Sequence, residues 1–151
     1  MRKTTTPLRG HLGYWLRLVS NHVSQAFGAK LAQANVSVAE WVILRVLYEE
    51  SAATPSHLAD VLGVTRGAIS RLADRLIARA LIGRAASPDD RRSQALNLTP
   101  AGRALVPELT ALADRNDAEF FGHLAPTERR TIEATMKEIA RRHEIKTAPT
   151  Q

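Results

Sequence analysis

The sequence predicts a mainly α-helical chain of six helices, with one small β-hairpin between the fourth and the fifth. Apolar residues recur at steps of three and four over most of the 151 residues, as they do on the buried face of a helix. Serine or threonine stands immediately before several of these runs, which is typical of a helix start. Only residues 81–98 lack the helical period, and the turn cluster Ser87-Pro88-Asp89-Asp90 divides them.

The first predicted helix spans residues 8–34 and ends at Asn35. Its apolar stripe includes Leu12, Trp15 and Leu16, which follow one another at helical spacing. We expect this stripe to be buried.

Three shorter helices follow. Ser37 is expected to cap the second, which runs to about residue 50, with Glu40 completing a capping box. The motif Thr54-Pro55 starts the third helix, which ends at Gly63, and Thr65 caps a fourth over residues 66–79. Two helices joined by so short a turn predict a helix-turn-helix.

Residues 81–85 and 95–98 are short runs with strand character on either side of the turn cluster. A hairpin directly after a helix-turn-helix is called a wing. The chain is therefore expected to contain a winged helix-turn-helix.

Two long helices close the chain. The motif Thr99-Pro100 starts the fifth, to about Gly122, and the sixth spans 127–143, after which residues 146–151 are expected to be disordered. The first, fifth and sixth helices carry more apolar surface than a small central unit can cover. We therefore expect them to pack against the same helices of a second chain.

The charge is unevenly distributed. The formal net charge is +6, and residues 54–103 carry eight arginines, four aspartates and no lysine. Arginine suits forked contacts to phosphates and guanine edges, so this region favours a nucleic-acid partner.

Several classes of function are excluded. The chain has no cysteine, which excludes disulfides, thiol nucleophiles and cysteine-ligated metal centres. The motifs G-x-G-x-x-G, G-x-S-x-G and H-E-x-x-H and the P-loop are absent, so we expect neither an enzyme nor a cofactor. No secretory leader or membrane span is recognisable, which predicts a cytoplasmic protein.

Five motifs of the helix-turn-helix and the wing form a recognisable pattern. They are Thr54-Pro55-Ser56-His57-Leu58-Ala59-Asp60, Leu62-Gly63-Val64-Thr65-Arg66, Leu72-Ala73-Asp74-Arg75-Leu76, Ser87-Pro88-Asp89-Asp90-Arg91-Arg92 and Leu96-Asn97-Leu98-Thr99-Pro100-Ala101-Gly102. With these motifs the chain resembles the MarR family of winged-helix transcription regulators. The similarity extends over about residues 8–143, and the wing is its most specific part.

The resemblance implies a homodimer that binds a pseudo-palindromic operator in double-stranded DNA. It implies that the fourth helix lies in the major groove and that the wing tip reaches the minor groove. Members are often repressors that lose DNA affinity when a small phenolic or carboxylate ligand binds. Ala80 stands where glycine usually ends the fourth helix, and a left-handed backbone there costs alanine about 1 kcal/mol.

The expected DNA-binding residues lie on the outer face of the fourth helix and in the wing. Asp74 is expected to orient an arginine, and an arginine of the wing is one candidate. Arg75 could equally contact phosphate or form a structural ion pair, and one of the two wing arginines could be held by a neighbouring aspartate. The predicted set is Thr65, Arg66, Gly67, Ser70, Arg71, Arg75, Arg91 and Arg92.

Three residues of the first and second helices are candidates for a ligand pocket. His11, Trp15 and Trp41 would offer flat aromatic surfaces and hydrogen-bond donors to an aromatic effector. For Trp15, packing in the core is the favoured alternative. The histidines show no ligand spacing, so we expect no metal site.

These expectations divide the chain into two parts. Residues 38–103 form a winged helix-turn-helix that binds DNA, and residues 1–37 and 104–151 form a helical dimerisation region. The alternative is a winged-helix module for protein–protein assembly, without sequence-specific DNA binding. The clustered arginines favour the first reading.

Overall fold

The computed structural model describes residues 4–86 and 94–150. In that part of the chain a 3-10 helix, Leu8–Gly10, precedes six α-helices and a two-stranded sheet. The elements are α1 (Leu12–Gln33), α2 (Val38–Glu50), α3 (Pro55–Leu62), α4 (Arg66–Ala78), β1 (Ile82–Ala86), β2 (Gln94–Leu98), α5 (Pro100–Phe121) and α6 (Pro126–Arg142). The predicted fold class and order of elements are confirmed.

The two strands pair antiparallel, with Ile82 opposite Leu98. The predicted first strand began one residue early, because the N–H of Leu81 still donates to the carbonyl of Leu76 at the end of α4 (3.0 Å). The sequence did not predict that Ala53, between α2 and α3, forms a β-bridge with Leu96 through two backbone hydrogen bonds. The base of the wing is thereby fixed to the helix-turn-helix.

Threonine caps start α3, α4 and α5 as predicted. The hydroxyls of Thr54, Thr65 and Thr99 accept hydrogen bonds from the backbone N–H three residues later, at 3.1–3.2 Å. Each satisfies one of the backbone donors that a helix leaves free at its first turn. These caps determine where α3, α4 and α5 begin.

Residues with positive φ follow five of the helices, and three of these residues end α1, α3 and α4. Asn35, Gly63 and Ala80 have φ of 57°, 65° and 55°. For Ala80 the strained conformation inferred from the family pattern is confirmed, and a carbonyl hydrogen bond from the Thr99 hydroxyl (2.6 Å) stabilises the turn. The residue keeps its unfavourable backbone because its neighbours determine the turn.

One hydrophobic core holds together the helix-turn-helix, the wing and the first half of α5. Its residues come from α1 to α5, β1 and β2, and α6 contributes no buried residue. The largest fully buried apolar side chains are Leu31, Ile43, Leu44, Leu47, Leu58, Ile69, Leu76, Ile82, Leu96, Val106 and Leu109.

The first half of the α1 stripe, from Leu12 to Val19, is exposed in the single chain. Trp15 is 47% exposed, so the favoured alternative of core packing is wrong within one chain, and Leu12 and Leu16 are more exposed still. On α6 the apolar residues Ile132 and Met136 are also exposed. The physical reason is that α1 packs on the rest of the chain only in its second half, where Phe27 and Leu31 meet the core, and no helix of the described residues covers the first half.

The polar side of α6 carries ion pairs between neighbouring turns. Hydrogen bonds from Arg141 and Arg142 hold the pKa of the Glu138 carboxyl below its ordinary value. A hydrogen bond and the charge of Lys137 lower the pKa of Glu133 in the same way. Such fully exposed pairs contribute little to the stability of a helix, because water and salt screen them.

The segment after α6 is ordered up to residue 150, and the expected disorder is wrong for this part. The N–H of Ala148 donates to the carbonyl of Val61 in α3 (2.8 Å). The side chain of Thr147 contacts Gly63, where an added Cβ would lie 2.8 Å from its methyl group. The tail has few apolar residues to bury, and a backbone hydrogen bond to the helix-turn-helix holds it instead.

Replacing Gly102 with alanine should destabilise the fold by about 1–3 kcal/mol. A Cβ on Gly102 would overlap the carbonyl oxygen of Leu81 and lie 3.0 Å from its carbon, so α5 would have to move away from the wing. Urea denaturation measures the change. The matched control is Gly28→Ala, where a Cβ meets nothing within 4 Å and helix propensity favours alanine. Equal stability of the two variants would contradict the close helix–wing contact.

Candidate nucleic-acid interface

Helix α4 presents a polar and mainly basic face to solvent. Its apolar residues Ile69, Ala73 and Leu76 are buried in the core. The helical period therefore turns the residues between them outward. The exposed ones are Arg66, Gly67, Ser70, Arg71, Asp74 and Arg75, and the capping residue Thr65 is exposed as well.

The first turn of α4 is open to a close approach. A Cβ added to Gly67 would meet nothing nearer than the Thr65 hydroxyl, at 3.9 Å. Nothing inside the described chain therefore requires glycine there. The backbone N–H groups and the helix dipole at this end suit a phosphate.

A polar groove of about 350 Å³ lies between the start of α3, the outer face of α4 and the wing. Arg66, Ser70 and Arg84 lie along it, together with Thr54 at the start of α3. It brings two of the predicted DNA-binding residues of α4 beside a wing arginine that the sequence analysis did not single out.

The wing is attached to α4 by an ion pair. Nη2 of Arg84, on β1, lies 2.9 Å from Oδ1 of Asp74. The prediction that Asp74 orients an arginine from the wing is confirmed. Arg91 and Arg92 fall within residues 87–93, outside the described residues.

Arg75 forms an ion pair with a buried carboxylate. Its Nη2 lies 2.9 Å from Oε1 of Glu40 on α2, and Nη1 of Arg79 lies 3.7 Å from Oε2. The predicted capping box is therefore only half formed. The Ser37 hydroxyl accepts from the Glu40 N–H (3.1 Å), but the Glu40 side chain turns inward to the arginines. The structural alternative for Arg75 thus has a partner, and its DNA contact stays a prediction.

The three ligand candidates occupy different environments. His11 precedes α1 and is exposed, and the indole N–H of Trp15 donates to the carbonyl of Arg9 (2.9 Å). Trp41 packs edge-on against Phe27, with ring centroids 6.2 Å apart. None of the four clefts that stand out on the described residues is lined by any of the three. Their role in binding a ligand stays a prediction.

Two features are absent from the described residues. Among them no group of three or more acidic or histidine side chains is arranged to hold a metal ion. None of their helices combines the length and the apolar character that crossing a bilayer requires.

A helix-turn-helix with an outward basic helix, followed by a hairpin fixed to it, defines a winged-helix protein. A model of the MarR family matches residues 34–93, which contain the helix-turn-helix and the first strand of the wing. The match thus covers the part of the chain where the candidate interface lies.

Two relatives are similar to this chain over most of its length. The multiple antibiotic resistance protein MarR of Escherichia coli is 26% identical over 129 residues, covering 85% of this chain and 90% of the relative. The HTH-type transcriptional repressor Rv2887 of Mycobacterium tuberculosis is 27% identical over 128 residues, covering 85% and 92%.

Two solved structures are also similar to this chain over most of its length. A mutant of E. coli MarR complexed with operator DNA is 26% identical with a TM-score of 0.74, covering 85% of this chain and 92% of that one. BpsR of Bordetella bronchiseptica, whose DNA binding is regulated by 6-hydroxynicotinic acid, is 26% identical with a TM-score of 0.78, covering 91% and 98%. These likenesses extend over most of the chain, which is thus similar in sequence and in fold to winged-helix regulators of the MarR family.

Proposed function

We propose that the chain is a homodimeric, sequence-specific DNA-binding repressor of transcription whose activity responds to a small aromatic ligand. The observation that carries the proposal is the exposed face of α4, where arginines and a hydroxyl surround an open helix start. The MarR relative binds operator DNA and the Rv2887 relative is a repressor, which supports the same role here.

Each side chain of α4 has a role in this proposal. Arg66, Ser70 and Arg71 contact base edges and phosphates in the major groove, because they lie on the solvent side of the first two turns. Thr65 and the nearby backbone N–H groups hold a phosphate, and Gly67 lets the backbone come close. Arg91 and Arg92, in the wing, would reach the narrower minor groove.

The dimer follows from uncovered apolar surface. Residues 1–37 and 104–151 serve as the dimerisation region, and residues 38–103 bind DNA. The exposed apolar side chains of the dimerisation region include Leu12, Trp15, Leu16 and Val19 from α1 and Ile132, Met136 and Ile139 from α6. Apolar surface of this extent on two amphipathic helices is suited to a second copy of the chain. Two copies would place two α4 helices against the half-sites of a pseudo-palindromic operator.

The ligand site is proposed at the junction between α1 and the DNA-binding unit. BpsR responds to an aromatic carboxylate, which supports a ligand of that chemistry. His11, Trp15 and Trp41 would line the site once a second chain covers the half-exposed indole of Trp15. Binding there would change DNA affinity by favouring one arrangement of the two DNA-binding units.

The DNA contacts are tested with the alanine variants of Arg66 and Arg71. Each should weaken binding to a duplex that the wild type selects from a random pool, and each should relax its sequence choice by about 1–3 kcal/mol. Fluorescence anisotropy at several salt concentrations measures affinity and salt slope. The control is Arg130→Ala, an exposed arginine of α6. Wild-type binding by both α4 variants would contradict the groove assignment, and no DNA binding at low salt would favour a protein–protein module.

Dimerisation is tested by light scattering, where the wild type should have twice the chain mass of 16.6 kDa. Leu16→Asp places a charge in the exposed stripe and should yield monomers, because an unpaired buried charge is strongly unfavourable. Gln25→Asp is the control, since nine residues place Gln25 on the opposite side of α1. A dimer with unchanged affinity for Leu16→Asp would exclude this face.

The ligand site is tested by thermal shift with 6-hydroxynicotinic acid and related aromatic acids. A ligand at about 100 times its dissociation constant should add about 2.7 kcal/mol of stability. Trp41→Leu should reduce the shift, because it removes a flat ring and keeps apolar volume. Tyr48→Leu, an aromatic control on the same helix, should leave the shift intact. Equal shifts for both variants would place the ligand elsewhere.

A further inference from the structure

Glu40 is a charged residue that the proposed function has not yet used. It lies in the first turn of α2 and is 1% exposed, among the apolar residues of the core. Its Oε1 atom lies 2.9 Å from Nη2 of Arg75 on α4. A carboxylate removed from water in this way depends strongly on its cationic partners.

The same carboxylate is linked to the end of α1. Its second oxygen lies 3.7 Å from Arg79, and Arg79 donates hydrogen bonds to the backbone carbonyls of Asn35 and Ala34. Glu40 therefore connects the second half of α4 to the α1–α2 junction. Rotation of α4 about its axis would break these contacts.

Arg75 is held at one end and accessible at the other. Its side chain is 68% exposed although Nη2 faces the buried carboxylate. The pair is close enough for charge attraction, although no N–H of Arg75 points at Oε1 closely enough to form a hydrogen bond. The attraction holds the guanidinium beside the carboxylate and leaves its N–H donors for a second partner. An arginine fixed before binding loses less conformational entropy when it meets a ligand.

The structure assigns Glu40 as a positioning residue of the DNA interface: it orients Arg75 so that the outward donors of the guanidinium meet a DNA phosphate. The assignment rests on the proposed function, because it requires α4 to lie against DNA. It makes Arg75 both an ion-pair partner and a phosphate ligand, the two roles that the sequence left as alternatives.

The assignment predicts that Glu40→Gln weakens DNA binding, whereas the change in net charge alone predicts that it strengthens DNA binding. Glu40→Gln removes a negative charge from a protein that binds a polyanion, which by itself strengthens binding. Glu49→Gln is the matched control for this effect. It removes the same charge from the same helix, where Glu49 pairs with Arg45 (2.8 Å).

The experiment measures binding to the duplex that the wild type selects from a random pool, between roughly 50 and 200 mM NaCl. Glu40→Gln should weaken binding about tenfold, as expected for one lost charge-assisted contact. It should lower the salt slope by about 0.9 per protomer, and Arg75→Ala should lower the slope by the same amount. In the Arg75→Ala background, Glu40→Gln should change affinity by less than about twofold. Glu49→Gln should bind at least as tightly as the wild type.

Two results would overturn the assignment. Tighter binding with a steeper salt slope would mean that Glu40 withholds Arg75 from DNA. An equal loss in the presence and absence of Arg75 would mean that Glu40 acts only through the stability of the fold. A smaller active fraction lowers binding at every salt concentration and leaves the slope unchanged, so the slope separates positioning from unfolding.

If Glu40→Gln does not fold, a second variant tests the same assignment. Arg75→Lys retains the charge but lacks a planar fork that can hold the carboxylate and a phosphate together, so it should bind several-fold more weakly. Wild-type affinity for this variant would overturn the assignment. If the wild type itself selects no duplex, the proposed function fails, and this result is distinct from a failure of the Glu40 assignment.

Discussion

The burial of one face of α4 is the constraint on which the rest of this structure depends. Ile69, Ala73 and Leu76 are almost completely removed from water, and their spacing places them on one side of the helix. Once that side is fixed, the helical period leaves Arg66 and Arg71 no direction except outward. The side chains that stabilise the domain therefore also determine the direction in which the basic face points. The remaining polar contacts of α4 adjust an orientation that packing in the core has already fixed.

Features that depend on neighbouring residues could be predicted from the sequence. A threonine hydroxyl caps the N–H three residues later, so Thr65 marks the start of α4 without reference to the rest of the chain. Gly63 and Ala80 end helices through their own backbone angles. The order of elements and most boundaries of the helix-turn-helix followed from such local signals, and so did the outer face of α4, because its period is visible in the sequence.

Features that require two distant segments to meet could not be predicted in this way. The stripe of α1 shows that a face is apolar, but it does not show which molecule covers it, and Trp15 is half exposed in the single chain. Glu40 matches a capping box, yet its carboxylate has two competing partners, the nearby backbone N–H and distant arginines, and it faces the arginines. The contact of Ala148 with Val61 likewise has no local signal.

The polar contacts of α4 do more for geometry than for stability. The exposed pair of Asp74 with Arg84 contributes about 0–1 kcal/mol. In the pair of Glu40 with Arg75 only the carboxylate is buried, and its loss of hydration offsets much of the attraction. Successive residues of a helix point about 100° apart, so Asp74 reaches the wing while Arg75 reaches the α1–α2 junction. The helix is thus held from two sides. Because Arg79 joins the same carboxylate to the last carbonyls of α1, a displacement of α1 in the proposed dimer would act directly on the direction of Arg75.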